Sequence, residues 1–234
     1  MSMRNFILTR AREKGIKDFN SSLIDYFQDV FLWSFFSLYD MAVFKGGTAL
    51  YKIYGSRRFS FDLDIDAVEK IDIENVLDVV RRFGINTKIV KMKTLKADNI
   101  DVVLFRVQFS RKGIGSTTLG IDIGFVEILP PNDVRLYLSS YGLPAFNIRV
   151  GTLEWILSEK VDAFIRRRSP RDLFDIYFII SAYGKCLPRK KELLESLKFI
   201  NERDWISSLE AMLLDYELPS LSSVREVLEG AKEC

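Results

Sequence analysis

Three aspartates alternate with apolar residues in Asp62-Leu63-Asp64-Ile65-Asp66-Ala67. On a strand, side chains at i and i+2 share a face, so Asp62 and Asp64 point the same way, about 7 Å apart along the strand. Carboxylates with that reach suit divalent cations that prefer oxygen. A two-metal site with ions ~3.5–4 Å apart needs one more acid from a neighbouring strand. Asp122, in Gly120-Ile121-Asp122-Ile123-Gly124, is the candidate. It is a lone acid among β-branched residues, and a buried carboxylate with no partner is costly. Asp66 shares the face of the other two and reads as a solvated or supporting acid. The alternation also suits a strand with one solvated face, so the acids alone decide nothing. An EF-hand is excluded, because Ala67 and Ile73 stand where its loop needs glycine and glutamate.

Composition narrows the chemistry further. The 234 residues include no histidine and two cysteines. A Ser-His-Asp triad, a Cys-His pair, a histidine zinc site and an imidazole base are therefore excluded. Cys186 and Cys234 cannot build a thiolate zinc cluster. Any metal here should be Mg²⁺ or Mn²⁺. With 48% apolar and 28% charged residues, the chain has the balance of a globular protein. Its net charge of +2 is too small to imply nucleic-acid binding by itself. Residues 1–12 are polar and charged, unlike a secretory signal, and the apolar stretch 31–44 is broken by Ser34, Ser37 and Asp40. It falls short of the ~20 residues that span a bilayer, so no membrane association and a cytoplasmic location are expected.

The positioning elements follow from periodicity. A long core helix is expected over 21–39, capped by Asn20 or Ser21, then a buried strand over 41–44. Strands are expected over 61–68, 85–92, 102–109, 117–126 and 146–150, and a helix over 73–83. Five helices follow, over 152–167, 170–181, 188–199, 204–214 and 222–231. The fold class is α/β (α+β): a mixed sheet flanked by helices in 1–130, then a mostly helical domain, 131–234, completing the active-site cleft. Pro130-Pro131 marks the expected boundary.

The turn Gly46-Gly47-Thr48 joins the strand ending at Phe44 to a helix. Such a turn lets backbone amides and a hydroxyl approach a phosphate. It matches neither a Walker A loop nor Gly-x-Gly-x-x-Gly. Its place is informative: a phosphate-type turn, a helix, then the Asp-x-Asp strand. Lys45-Gly46-Gly47-Thr48-Ala49-Leu50 followed by Arg58-Phe59-Ser60-Phe61-Asp62-Leu63-Asp64 resembles the first motif of the AbiEii/MenT-type nucleotidyltransferases. These are toxins of prokaryotic toxin–antitoxin systems, within the DNA polymerase β-like nucleotidyltransferase superfamily. A second motif of that family, a lysine and then Arg-Asp-x-x-Asp, is matched by Lys160 and Arg171-Asp172-Leu173-Phe174-Asp175.

The resemblance implies Mg²⁺-dependent transfer of NMP from an NTP to an acceptor hydroxyl, a tRNA 3′ end in the resembling family, and a cognate antitoxin partner. Asp62 and Asp64 would hold the metal, and Asp122 would join them as ligand or proton acceptor. Lys45, Gly46, Gly47, Thr48 and Ser60 would hold the triphosphate. Arg58 and Lys160 would neutralise phosphate charge. Asp172 would position the phosphates or the acceptor, although an acid in a helix's first turn also suits the macrodipole. Arg166, Arg167, Arg168 and Arg171 would contact an RNA backbone or form a solvated helix end. Three other readings stay open: transfer to a protein or small molecule, a metal-dependent glycosyltransferase, and a non-catalytic RNA- or partner-binding protein of this fold. The glycosyltransferase does not call for the Gly-Gly-Thr turn, and the intact acids speak against the non-catalytic protein.

Overall fold

The computed structural model describes residues 1–97 and 100–234. The chain forms two compact units, Met1–Ala49 with Phe61–Val150 and Leu50–Ser60 with Gly151–Cys234. The division expected at 130/131 thus falls after residue 150, because two further strands join the sheet of the first unit. The short segment Leu50–Ser60 belongs to the second unit.

In the first unit, α1 (Met3–Glu13) and α2 (Phe19–Phe36) precede β1 (Ala42–Lys45), from which the chain enters α3 (Gly46–Lys52). Then come β2 (Leu63–Ala67), α4 (Ile73–Arg81), β3 (Asn86–Ala97), β4 (Ile100–Arg111), β5 (Gly115–Phe125), β6 (Asn132–Tyr137) and β7 (Phe146–Gly151). The strands build one mixed sheet in the order β3-β4-β5-β2-β1-β7-β6. Phe27, Val30, Phe31 and Phe35 of α2 are fully buried, and the Phe27 and Phe31 rings lie 5.5 and 6.5 Å from the ring of Phe109 on β4. Odd-numbered residues of β4, Phe105, Val107 and Phe109, therefore face the core. Leu104, Arg106 and Gln108 point to the opposite, more open face.

Three departures from the sequence reading have local causes. Helix α2 starts at Phe19, not at 21, because the Asp18 carboxylate accepts the Ser21 N–H at 2.8 Å and caps it. Strand β3 runs to Ala97, past the apolar pattern, because β4 pairs with it along its length. Helix α1 and strand β6 carry weak periodicity. On α1 only Ile7 and Ala11 are buried, and β6 is an edge strand whose first five residues are largely exposed.

The second unit contains α5 (Leu153–Arg167), α6 (Pro170–Tyr183), α7 (Lys190–Leu197), α8 (Glu202–Leu209) and α9 (Leu221–Gly230). Helix α5 is capped by the Thr152 hydroxyl and ends at Arg168 in the left-handed region, φ 52°. Pro170 then opens α6, where its missing N–H costs nothing. Phe164, Phe174, Ile176, Trp205 and Leu228 are buried at the centre. The segment Leu50–Ser60 is laced on by backbone bonds from Phe59 N to Met212 O, 2.7 Å, and from Leu214 N to Arg57 O, 2.9 Å. Cys186 and Cys234, excluded above as zinc ligands, are joined in a disulfide. Among the described residues no helix is long and apolar enough to cross a membrane.

Candidate active site

The acids come together through strand register. Strand β5 runs parallel beside β2, with Leu63 opposite Ile121, Asp64 opposite Asp122 and Asp66 opposite Gly124. Asp62, one residue before β2 rather than within it, takes the corresponding place beside Gly120. On the far side of β5, the antiparallel β4 sets Arg106 opposite Gly120 and Leu104 opposite Asp122. Strand β1 sets Lys45 opposite Asp64. Opposed residues of neighbouring strands share a face. Asp62, Asp64, Asp66, Asp122, Arg106 and Lys45 therefore line the open face of the sheet.

Glycine makes room for Asp62, Asp64 and Asp66 in turn. A Cβ on Gly120 would lie 2.0 Å from Asp62 Oδ1, and one on Gly124 would lie 2.5 Å from Asp66 Oδ1. A Cβ on Gly46 would meet Asp64 Oδ2 at 2.2 Å, and the positive φ of Gly46, 75°, itself favours glycine. The Gly-Ile-Asp-Ile-Gly run is thus the complement of the Asp-x-Asp-x-Asp run. Gly46 lies against a carboxylate. The Thr48 hydroxyl donates to the Asp62 carbonyl oxygen, and Gln28 Nε2 donates to the Phe61 carbonyl at 2.9 Å. These two bonds hold the backbone that carries Asp62.

Charge on this face is partly balanced. Arg106 Nη1 lies 3.3 Å from Asp122 Oδ1, and Nη2 lies 3.9 Å from Asp62 Oδ1. Asp122 therefore has the cationic partner its surroundings demanded. Burial still raises its pKa above the ordinary carboxylate value; the Asp62 charge adds to the rise and Arg106 opposes it. Asp66 is 4% exposed and pairs with Lys45 Nζ at 2.7 Å, so it is not a solvated acid. The donor set, three carboxylates without histidine or thiolate, fits Mg²⁺ or Mn²⁺. The Arg106 guanidinium beside Asp62 and Asp122 marks a place where positive charge is stabilised. Among the described residues no three acids yet converge tightly enough to enclose an ion. An ion held there requires Arg106 to turn aside.

The remaining candidates lie in the second unit, around Asp175. This fully buried carboxylate accepts Arg58 Nε and Nη2 at 2.9 and 2.8 Å, and Lys160 Nζ lies 2.8 Å away. Burial works against its charge, but Arg58 and Lys160 outweigh burial and hold its pKa below the ordinary value. Burial likewise works against the Lys160 ammonium, and Asp175 and Asp172 outweigh it, so its pKa is raised. Asp172, also buried, accepts Lys160 Nζ at 3.2 Å and the Arg167 fork at 2.6 and 2.8 Å. Arg58 is therefore committed to an internal ion pair. The four arginines of the cluster are all exposed, and Arg168 also caps α5 and stacks 3.9 Å over the Phe199 ring. Ser60 is half-buried at the end of the Leu50–Ser60 segment, and Gly47 is the second residue of α3.

Residues 31–228 match the family model described as nucleotidyl transferase AbiEii toxin, type IV toxin–antitoxin system. The chain belongs to this family. AbiEii membership makes it a nucleotidyltransferase of a toxin family. Solved structures agree on the fold. MenT4, a nucleotidyltransferase toxin from Mycobacterium tuberculosis, matches with TM-score 0.64 at 19% identity, over 95% of this chain and 86% of that one. A putative nucleotidyltransferase from Helicobacter pylori matches with TM-score 0.59 at 21% identity, over 91% and 92%. JHP933 from Helicobacter pylori matches with TM-score 0.57 at 22% identity, over 89% and 88%. No match is found among curated proteins.

Sequence reasoning missed two residues of this AbiEii chain, Arg106 and the hub Asp175. Arg106 is an ordinary strand arginine until β4 is registered against β5. Asp175 was legible as the second acid of Arg-Asp-x-x-Asp, but not as the deeper of the two.

Two expectations follow. Gly120→Ala should evict the Asp62 carboxylate and the Arg106 guanidinium while leaving the fold intact, because only flexible side-chain tips lie in the way. Nucleotidyl transfer should fall by about 100-fold, as for a misplaced reacting group. The unfolding free energy should change by only about 0.5 kcal/mol, measured by chemical denaturation. Asp175→Asn should cost ~3 kcal/mol at neutral pH by removing the buried carboxylate that Arg58 and Lys160 share. The cluster's stability is complete above the ordinary aspartate value of 3.8 and is lost as pH falls through the lower folded value. The difference between wild type and variant should therefore shrink below pH 3.8, and denaturation at several pH values would read it.

Proposed function

We propose that this chain transfers NMP from an NTP to the terminal hydroxyl of an RNA, a tRNA 3′ end, as the toxin of a cytoplasmic toxin–antitoxin pair. The observation that carries the reading is the pairing of Asp64 with Asp122 on adjacent parallel strands, with Asp62 on the same face. The family match supports the transfer chemistry, and the resemblance of the two motifs supports the acceptor and the antitoxin.

Asp62, Asp64 and Asp122 would hold Mg²⁺ or Mn²⁺, which when bound supplies charge neutralisation on the triphosphate. The acceptor oxygen forms a bond to the α-phosphorus, the α–β phosphoanhydride bond breaks, and pyrophosphate leaves. Asp122 is assigned to take the hydroxyl proton. Burial makes it a better proton acceptor than an exposed aspartate. The backbone of Gly46 and Gly47 and the neighbouring Lys45, Thr48 and Ser60 are assigned to the triphosphate. Thr48 contributes by fixing Asp62 as well as by its position. Lys160 keeps its proton throughout the neutral range and is assigned to phosphate oxygens. Arg58 acts through Asp175, and Asp172 and Asp175 set the direction of the Lys160 ammonium. Arg166, Arg167, Arg168 and Arg171, all exposed, are assigned to RNA, with Arg167 also paired to Asp172 and Arg168 stacked on Phe199.

The test is transfer from α-³²P-labelled NTPs to total RNA, with protein and small-molecule fractions run alongside. Label should enter RNA, and periodate oxidation of the 3′ terminus should block it. Asp64→Asn should remove the label with an unchanged unfolding midpoint. Label in protein alone, or unchanged turnover in Asp64→Asn, would overturn the reading.

A further inference from the structure

The outer edge of the same sheet face carries lysines. In β3, Lys88 lies opposite Gln108, Lys91 opposite Arg106 and Lys93 opposite Leu104. Those partners are successive even residues of β4, all on the face that holds the acids. Lys88 and Lys91 are three apart and would point to opposite faces of a regular strand. They share one because the ladder slips between Ile89 and Lys91, where Val90 is the extra residue. All three lysines are exposed, and among the described residues none has an ion-pair partner, unlike Lys45 and Arg106. We propose that Lys88, Lys91 and Lys93 form a track for the sugar–phosphate backbone of single-stranded RNA, leading the acceptor end toward the acids. This rests on the RNA reading above and adds the surface that binds it.

Geometry and charge point to this occupant. The three β4 partners are two residues apart, so the lysines recur at intervals of about 7 Å, a step that successive phosphates of an extended strand can match. One row across the sheet reads Lys91, Arg106, Gly120, Asp62. Three inter-strand steps of about 4.8 Å put the lysine row ~14 Å from the Asp62 position, a distance a few nucleotides cover. Between them lie Arg106, Gln108 and Thr118 on the same face, and among the described residues no acid on that face lies nearer the edge than Asp122. Lysines on an edge strand also prevent edge-to-edge aggregation. That task needs no common face, whereas the bulge delivers one. A flexible single strand presenting phosphates at regular steps uses all three.

The experiment compares wild type with Lys88→Gln/Lys91→Gln/Lys93→Gln and with a control, Lys96→Gln/Lys112→Gln, whose lysines lie off this row. Each is titrated against a 5′-fluorescein-labelled single-stranded RNA oligonucleotide without NTP, across a range of NaCl concentrations. The triple variant should bind at least ~10-fold more weakly at low salt. Its slope of log K against log[salt] should be shallower by about 2, three contacts at ~0.7 each. The control and the unfolding midpoints should match wild type. Unchanged affinity and slope in the triple variant would overturn the track, and aggregation on a sizing column would then assign the lysines to edge protection. Equal weakening with double-stranded RNA as the only ligand bound would overturn the single-strand assignment. Because no turnover is read, the track can fail while wild type still labels RNA, and failure of labelling with intact lysine-dependent binding would instead strike the transfer reading.

Discussion

The first unit depends on one kind of close approach: Asp62, Asp64 and Asp66 each fill the space a Cβ would take on a glycine, two on β5 and one at the head of α3. A carboxylate can occupy that position only where no Cβ intrudes. The parallel pairing of β2 with β5 then fixes Asp64 beside Asp122. A slip of one residue would send every acid to the apolar face under α2, where four buried aromatic and aliphatic side chains already fill the space. Register and acid placement are therefore one constraint. The hydrogen bonds from Gln28 and Thr48 extend it to Asp62, beyond the end of the strand.

The two units handle buried charge differently. In the second, Asp175 is satisfied by Arg58 and Lys160, and Asp172 by Lys160 and Arg167, so the charges close on one another and tie Leu50–Ser60 to α5 and α6. On the sheet face, positive charge is scarcer. Arg106 reaches Asp122 closely and Asp62 only at 3.9 Å, and Asp62 stays half exposed. A closed network specifies a fold, whereas an open acidic face retains demand for a cation. That contrast fits Arg58 and Asp175 to holding Lys160 in place and the sheet face to cation binding.

Much of this was legible in the sequence, for identifiable reasons. The Asp-x-Asp run, the Gly-Gly turn and Arg-Asp-x-x-Asp are local patterns, and the helices of the second unit show clear apolar periodicity. What was hidden required knowing which strands are neighbours. Arg106 becomes part of the site only through the β4–β5 register, and Asp66 becomes an internal acid only when β1 brings Lys45, which sits opposite Asp64, within 2.7 Å of it. The lysine row was illegible because its common face is created by a bulge, which no two-residue period predicts. Strand β6 was hidden because it is short and largely exposed, although it completes the sheet.

The claim on which the rest turns is that Asp62, Asp64 and Asp122 form a cation site from which Arg106 must withdraw. Mn²⁺ binding followed by electron paramagnetic resonance of the free ion tests it without turnover. Wild type should bind Mn²⁺, Asp64→Asn should lose that binding, and Arg106→Gln should bind more tightly because no guanidinium competes. Equal Mn²⁺ affinity in all three proteins would contradict it.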